Sequence, residues 1–207
     1  AELRRLLVRH DGATAAIVVE PVMQGAAGMV AHPEGFLAGV ASLAREFDTL
    51  LIVDEVATGF GRTGPMFACE REGVEPDIMC LAKGISGGYL PLAATVATDA
   101  VEAAFGGEPS ERRTLYHGHT YTGNPLACAA ALASLALFDE RGVLAHARES
   151  GRIIADRLEA LRDPDRFPQV VDVRQRGTMV GIELGSRRTQ PEPFDYARPL
   201  GHAVCRA

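Results

Sequence analysis

The chain has no closely spaced cysteine pair, no excess of positive charge and no apolar run long enough to span a bilayer. Each absence excludes a class of function. Its four cysteines, Cys69, Cys80, Cys128 and Cys205, are scattered and form no CxxC, so neither a zinc cluster nor a disulfide framework is implied and a reducing cytoplasm fits best. The net charge of −6 gives no electrostatic reason to expect nucleic acid or an anionic membrane as a partner. The apolar stretch from Leu126 to Phe138 falls short of the roughly 18 residues a membrane span needs, and AELRRLLVRH at the start has too short an apolar core for a signal peptide. There is no internal repeat and no low-complexity segment. What is present is an ordinary globular balance, 207 residues with 47% hydrophobic and 23% charged, enough for one large domain or two small ones.

The order of segments reads as α/β. Ala15 to Glu20 (AAIVVE) is short, apolar and β-branched, the pattern of a strand covered on both faces. Pro33 to Phe47 starts with proline in its first turn and repeats Phe36, Leu37, Val40, Leu43, Ala44 and Phe47 at helical spacing. Leu50 to Asp54 (LLIVD) is a second buried strand, so strand, helix and strand form a crossover in a parallel sheet. Asp77 to Ala82 and Leu92 to Thr98 are further strands, separated by the glycine-rich turn KGISGGYLP. Asn124 to Glu140 is a helix opened by Asn-Pro. Beyond it come an amphipathic helix from Val143 to Leu161, a polar linker from Arg162 to Phe167, and strands Val170 to Arg174 and Met179 to Leu184 around Gly177. The expected division is residues 1–141 as part of a large domain with a mostly parallel sheet and 142–207 as part of a smaller α+β domain.

The chemistry concentrates on Lys83, which ends the run DIMCLAKG 29 positions after Asp54 of LLIVDE. A lysine directly after Ile78, Met79, Cys80, Leu81 and Ala82 is expected to be desolvated, which favours the neutral amine and its use in a Schiff base. A carboxylate at the C-terminal end of a buried strand can keep a pyridinium nitrogen protonated, which is what pyridoxal 5'-phosphate needs to act as an electron sink. The pair therefore points to that cofactor.

Four blocks, EPVMQGAAGM, LLIVDEVATGFGRTG, DIMCLAKGISGGYLP and HGHTYTGNPLACA, occur in an order and spacing that resemble the class III aminotransferases of fold type I. Within that family Ala57 of DEVATG stands where ornithine- and GABA-type members carry glutamine, and the last block resembles the branch that works in biotin biosynthesis. The resemblance implies Lys83 as the Schiff-base lysine and Asp54 as the partner of the pyridine nitrogen. It places Val56 on the face of the ring, and His119 and Thr120 in the segment that reaches the cofactor phosphate of a neighbouring subunit in a homodimer. Gly118 corresponds to a substrate contact, and Glu20 of EPVMQG ends the preceding strand near the cofactor edge. The implied reaction is transamination from a small-molecule amino donor, S-adenosylmethionine or in some relatives lysine, to the keto acceptor 8-amino-7-oxononanoate. Another omega-aminotransferase of diamine, ornithine or GABA type is the alternative within the family.

Other readings of the same residues stand beside this one. Gly59, Gly61 and Gly64 match GxGxxG, but Asp54 to Thr58 separate the strand end from the first glycine and Pro65 follows the third, a poor context for a dinucleotide. Asp54-Glu55 and His117-x-His119 lack partners at metal-ligand spacing. Arg62 reads as a loop brace, and the helix from Asn124 as core or subunit interface. The chain starts without methionine and runs to about half the family's length, so a fragment is expected. It lacks the glycine-serine phosphate loop and the arginine expected to hold the substrate carboxylate, and a catalytically incomplete piece is a second possibility.

Overall fold

The computed structural model describes residues 1–185 and 200–206. The chain opens with helix α1 (Glu2–Arg9), enters the sheet at β1 (Ala16–Val19) and makes a small antiparallel hairpin, β2 (Met23–Gln24) with β3 (Val30–Ala31). Next come α2 (Phe36–Glu46), β4 (Leu50–Asp54), β5 (Ile78–Leu81) and β6 (Ala94–Ala97), followed by α3 (Asp99–Ala103). Two long helices, α4 (Pro125–Glu140) and α5 (Val143–Leu158), precede the strands β7 (Val170–Arg176) and β8 (Met179–Leu184) and the short α6 (Leu200–Val204). No helix among the described residues is long and apolar enough to cross a membrane.

The sheet runs β1-β4-β5-β6, with β1, β4 and β5 parallel and β6 antiparallel at the edge. Side chains alternate across each strand, and on β4 the even beat turns Leu51, Val53 and then Glu55 into the core. There they meet Val19, Leu37, Val40, Ala41, Ala44, Cys69 and Val74. Each buried leucine or valine of this set contributes about 1.5–3 kcal/mol relative to exposure. The opposite face of β1 is not covered as its apolar run predicts: Val18 is 66% exposed, because the buried residues of α2 all pack on the other side of the sheet.

α2 begins later than its periodicity predicts, after Gly35 in a left-handed conformation (φ +76°), and His32 stacks on Phe36 at its first turn. α4 starts where Asn-Pro predicts. The Asn124 side chain accepts from the amides of Leu126 and Ala127 at 3.0 and 3.2 Å, and Pro125 fills the first helical position. Ala127 and Ala131 are the buried residues of α4, and Ala131 packs on Phe60, Leu81 and Ile85, while Leu126 and Leu132 stay exposed.

The β7–β8 hairpin is clamped back onto the loops at the sheet's C-terminal edge. Arg174 donates through Nε to the Met29 carbonyl at 3.0 Å and through Nη2 to that of Gly28 at 3.2 Å, and Arg176 Nη2 donates to the His32 carbonyl at 3.2 Å. At the hairpin turn Thr178 donates its amide to the Arg62 carbonyl at 2.9 Å. Gly177 beside it has φ +61°, and a Cβ there would lie 2.5 Å from that same carbonyl oxygen, so only glycine fits.

Candidate active site

Three strand ends bring the sequence-predicted residues to one edge of the sheet. Glu20 follows β1, Asp54 closes β4 and Lys83 lies just past β5, the carboxyl-end position where open α/β sheets bind ligands. Asp54 stands on the face opposite Val53 and Glu55 and is in register with Cys80 on β5. Its Oδ1 accepts the Val56 amide at 2.9 Å, which fixes the carboxyl rotamer and leaves Oδ2 for a ligand. Burial first and then the Asp54 charge push the Cys80 thiol upward, so the carboxylate lies beside that sulfur.

Lys83 has φ +46°, a left-handed backbone that costs a side-chain-bearing residue about 1–2 kcal/mol and is characteristic of functional sites. The turn that holds it there is tightly packed. Lys83–Ser86 form a 3-10 helix with Ile85 and Ser86 buried, and Ser86 Oγ donates to the Leu90 carbonyl at 2.5 Å. A Cβ on Gly84 would meet Phe60 Cβ at 2.8 Å, so the turn sits directly against that ring. The structure corrects one expectation: Lys83 is exposed, because this reversal turns it out of the apolar run that precedes it.

Lys83 opens into a cleft of about 1070 Å3 that it shares with Tyr89, Leu92, His117, Gly118 and His119. The His119 amide donates to Thr122 Oγ1 at 2.9 Å, and its Nδ1 accepts the Tyr121 amide at 3.1 Å, which leaves Nε2 as the outward nitrogen. Gly118, His119 and Thr120 are all exposed. Thr120, Asp54, Val56 and Glu20 do not line the cleft; the last three belong to the ends of β1 and β4 and the residues just after them. Val56 is half-buried. Glu20 Oε2 accepts the Gly25 amide at 2.8 Å, and a Cβ on Gly25 would lie 3.6 Å from both that oxygen and Ala57 Cβ, so Glu20 and Ala57 are neighbours across one loop.

The glycine-rich loop from Gly59 to Gly64 runs into a 3-10 helix at Ala68–Glu72 and carries the Arg62 carbonyl on which the hairpin docks. Among the described residues no group of three His, Cys, Asp or Glu side chains comes together as metal ligands. Sequence reasoning assigns Glu55 no functional role, and the structure gives it one. It is fully buried, and its Oε1 and Oε2 accept the Cys69 amide at 2.8 Å and the Thr58 hydroxyl at 2.5 Å. The alternation of Leu51, Val53 and Glu55 was the signal that places it inside.

Comparison with known proteins decides between the readings of this edge. The family model described as aminotransferase class-III matches residues 1–205. The chain belongs to the class III aminotransferases. It is 50% identical over 204 residues to the adenosylmethionine-8-amino-7-oxononanoate aminotransferase of Geobacter sulfurreducens, covering 99% of this chain and 44% of that protein. The enzyme of the same name from Aquifex aeolicus is 53% identical over 189 residues, covering 91% of this chain and 41% of its own length. The crystal structure of the one from Methanocaldococcus jannaschii superposes with a TM-score of 0.94 at 44% identity, covering 99% of this chain and 47% of that one. The chain thus spans less than half the length of the curated relatives it matches. The α/β architecture with a mostly parallel central sheet is that of the fold type I transaminases.

Pyridoxal phosphate, the cofactor of class III aminotransferases, fits the residues present. An accessible amine at the end of one strand and a carboxylate with a free oxygen at the end of its neighbour are the two groups this cofactor requires of its protein.

Proposed function

We propose that this chain carries the chemical centre of a pyridoxal phosphate-dependent transamination, with S-adenosylmethionine as amino donor and 8-amino-7-oxononanoate as acceptor, giving 7,8-diaminononanoate for biotin biosynthesis. The observation that carries it is the placement of Lys83 and Asp54 at the ends of adjacent parallel strands, in a chain half identical to enzymes named for that reaction. When bound, the cofactor supplies an electron sink next to the substrate carbon.

Asp54 Oδ2 would keep the pyridine nitrogen of the cofactor protonated. Lys83 Nζ would hold the cofactor and, as a free amine, would carry a proton to and from the substrate carbon, a task its exposure to the cleft supports. Val56, tied to Asp54 through its amide, covers one face of the ring. Gly118 gives the substrate room in the cleft wall. His119 and Thr120, both exposed, serve the cofactor phosphate of a second copy, so the working form is a homodimer. Glu20 closes the loop over the ring's edge through Gly25. Residues 1–141 form part of the cofactor-binding domain and 142–207 part of the small domain. The setting is the cytoplasm, in keeping with four cysteines that are all unpaired thiols.

The test is Lys83→Ala in the intact protein loaded with pyridoxal phosphate. The expected result is loss of the visible band of lysine-bound cofactor and loss of amino transfer from S-adenosylmethionine to the ketone. A variant that keeps that band refutes the assignment.

A further inference from the structure

Glu55 sits between the two residues proposed to touch the cofactor ring, yet faces away from it. Its side chain is fully buried and no ion pair involves it among the described residues. Burying a carboxylate costs several kcal/mol unless hydrogen bonds compensate. A core that needed only volume at this position would continue the apolar series of Leu51 and Val53. Instead the carboxylate takes two donors from two different segments: the amide of Cys69, in the first turn of the 3-10 helix Ala68–Glu72, and the hydroxyl of Thr58, itself fully buried.

The backbone of Glu55 is held as firmly. Its amide donates to the Cys80 carbonyl of β5 at 2.9 Å, and its carbonyl accepts the Gly59 amide at 2.9 Å. A Cβ on Gly59 would come within 2.9 Å of that carbonyl oxygen, so the turn closes tightly over it. Glu55 is therefore the point at which the end of β4, the turn after it, β5 and the 3-10 helix are tied together. Asp54 and Val56 are its immediate neighbours, and Asp54 Oδ1 accepts the Val56 amide across the tie. Cys69 on the same side is an inert thiol, pushed up to about 12 by burial and by the Glu55 charge, and so offers no chemistry of its own.

We infer that Glu55 is a positioning residue for the transamination: its buried carboxylate, by gripping the Cys69 amide and the Thr58 hydroxyl, sets the direction in which Asp54 and Val56 meet the cofactor ring. The inference rests on the function proposed above. It is a role of geometry rather than charge, so glutamine, which can still accept from the Cys69 amide and donate to Thr58 Oγ1, preserves it.

The experiment compares Glu55→Gln, Glu55→Ala and Thr58→Val in the holoenzyme. Three readouts are taken: kcat and KM for the acceptor, the dissociation constant for pyridoxal phosphate, and the visible circular dichroism of the bound cofactor, which reports how the ring is held. Glu55→Ala is expected to lower kcat by about a hundredfold with KM nearly unchanged, the scale of an ångström-sized misplacement, and to weaken both cofactor affinity and dichroism. Thr58→Val, which removes one donor at constant volume, shifts the same readouts the same way by less. Glu55→Gln restores kcat, affinity and dichroism to near the parent values. Folded Glu55→Ala with parental kcat and dichroism overturns the inference, and so does a folded Glu55→Gln as damaged as the alanine variant. Where Glu55→Ala does not fold, Thr58→Val decides: parental readouts refute the role and a shifted dichroism supports it. If the parent protein takes up no cofactor through Lys83, the functional reading itself has failed, which the Lys83→Ala control reveals separately.

Discussion

Replacing Gly177 by alanine isolates what the hairpin clamp contributes, because the structure supplies its own control. Gly177 and Gly73 share a φ of +61°, so alanine at either site carries the same left-handed backbone penalty of about 1 kcal/mol. Their surroundings differ completely. A Cβ on Gly73 meets nothing within 4 Å, whereas on Gly177 it lies 2.5 Å from the Arg62 carbonyl oxygen and 2.8 Å from Thr63 C and Cα. Those are backbone atoms and cannot swing aside. Relief requires the turn to back away, which breaks the Thr178 amide to Arg62 carbonyl bond, worth about 1 kcal/mol, and adds overpacking strain of about 1–3 kcal/mol. Gly177→Ala should therefore lose about 3–5 kcal/mol against about 1 for Gly73→Ala. At roughly 2–4 °C per kcal/mol for a chain of this size, that separates the two melting temperatures by about 10 °C. Thermal unfolding of the intact protein followed by far-ultraviolet circular dichroism measures it. Equal destabilisation by the two alanines would refute the claim that the Arg62 contact makes Gly177 obligatory.

Asp54→Asn removes the charge that holds the pyridine proton and keeps the shape and the Val56 amide bond. It should still bind pyridoxal phosphate by absorbance titration while losing most of kcat, and near-parental turnover would count against the pyridinium role. The Cys69 thiol is raised from 9.0 to about 12 in the folded chain, so the folded state prefers the protonated form. The stability this contributes is complete below the unfolded value near 9 and is lost as pH rises through about 12. Urea unfolding should show the parent losing stability between pH 8 and 10.5 relative to Cys69→Ala; parallel curves would contradict that shift.

Where local signals and tertiary demands agree, the sequence was legible. LLIVD became β4 at its expected ends, Met179 to Leu184 became β8 unchanged, and Asn-Pro opened α4 because its cap bonds are made within the helix. The remainder depended on partners distant in sequence. β2 and β3 are two-residue strands with no periodicity to read. The left-handed turn that exposes Lys83 follows from Gly84 packing against Phe60, a contact no pattern around DIMCLAKG encodes. That Asp54 and Lys83 end neighbouring strands was legible because a strand end is a place defined by sequence, and their separate settings were not, because the cleft beside Lys83 is completed by the distant segment His117 to Ala127. Glu55 was half legible: alternation with Leu51 and Val53 directs it inward, and only the fold shows what receives it.

The arginine clamp of β7 has a consequence for exchanging parts between relatives. Arg174 and Arg176 reach main-chain carbonyls of Gly28, Met29 and His32, and the Gly177 turn rests on the main chain of Arg62 and Thr63. Backbone acceptors look the same whatever side chains those loops carry. The hairpin can thus be grafted beneath loops of different sequence as long as their path is kept, and a single inserted residue between Gly28 and His32 would disturb it more than several substitutions there.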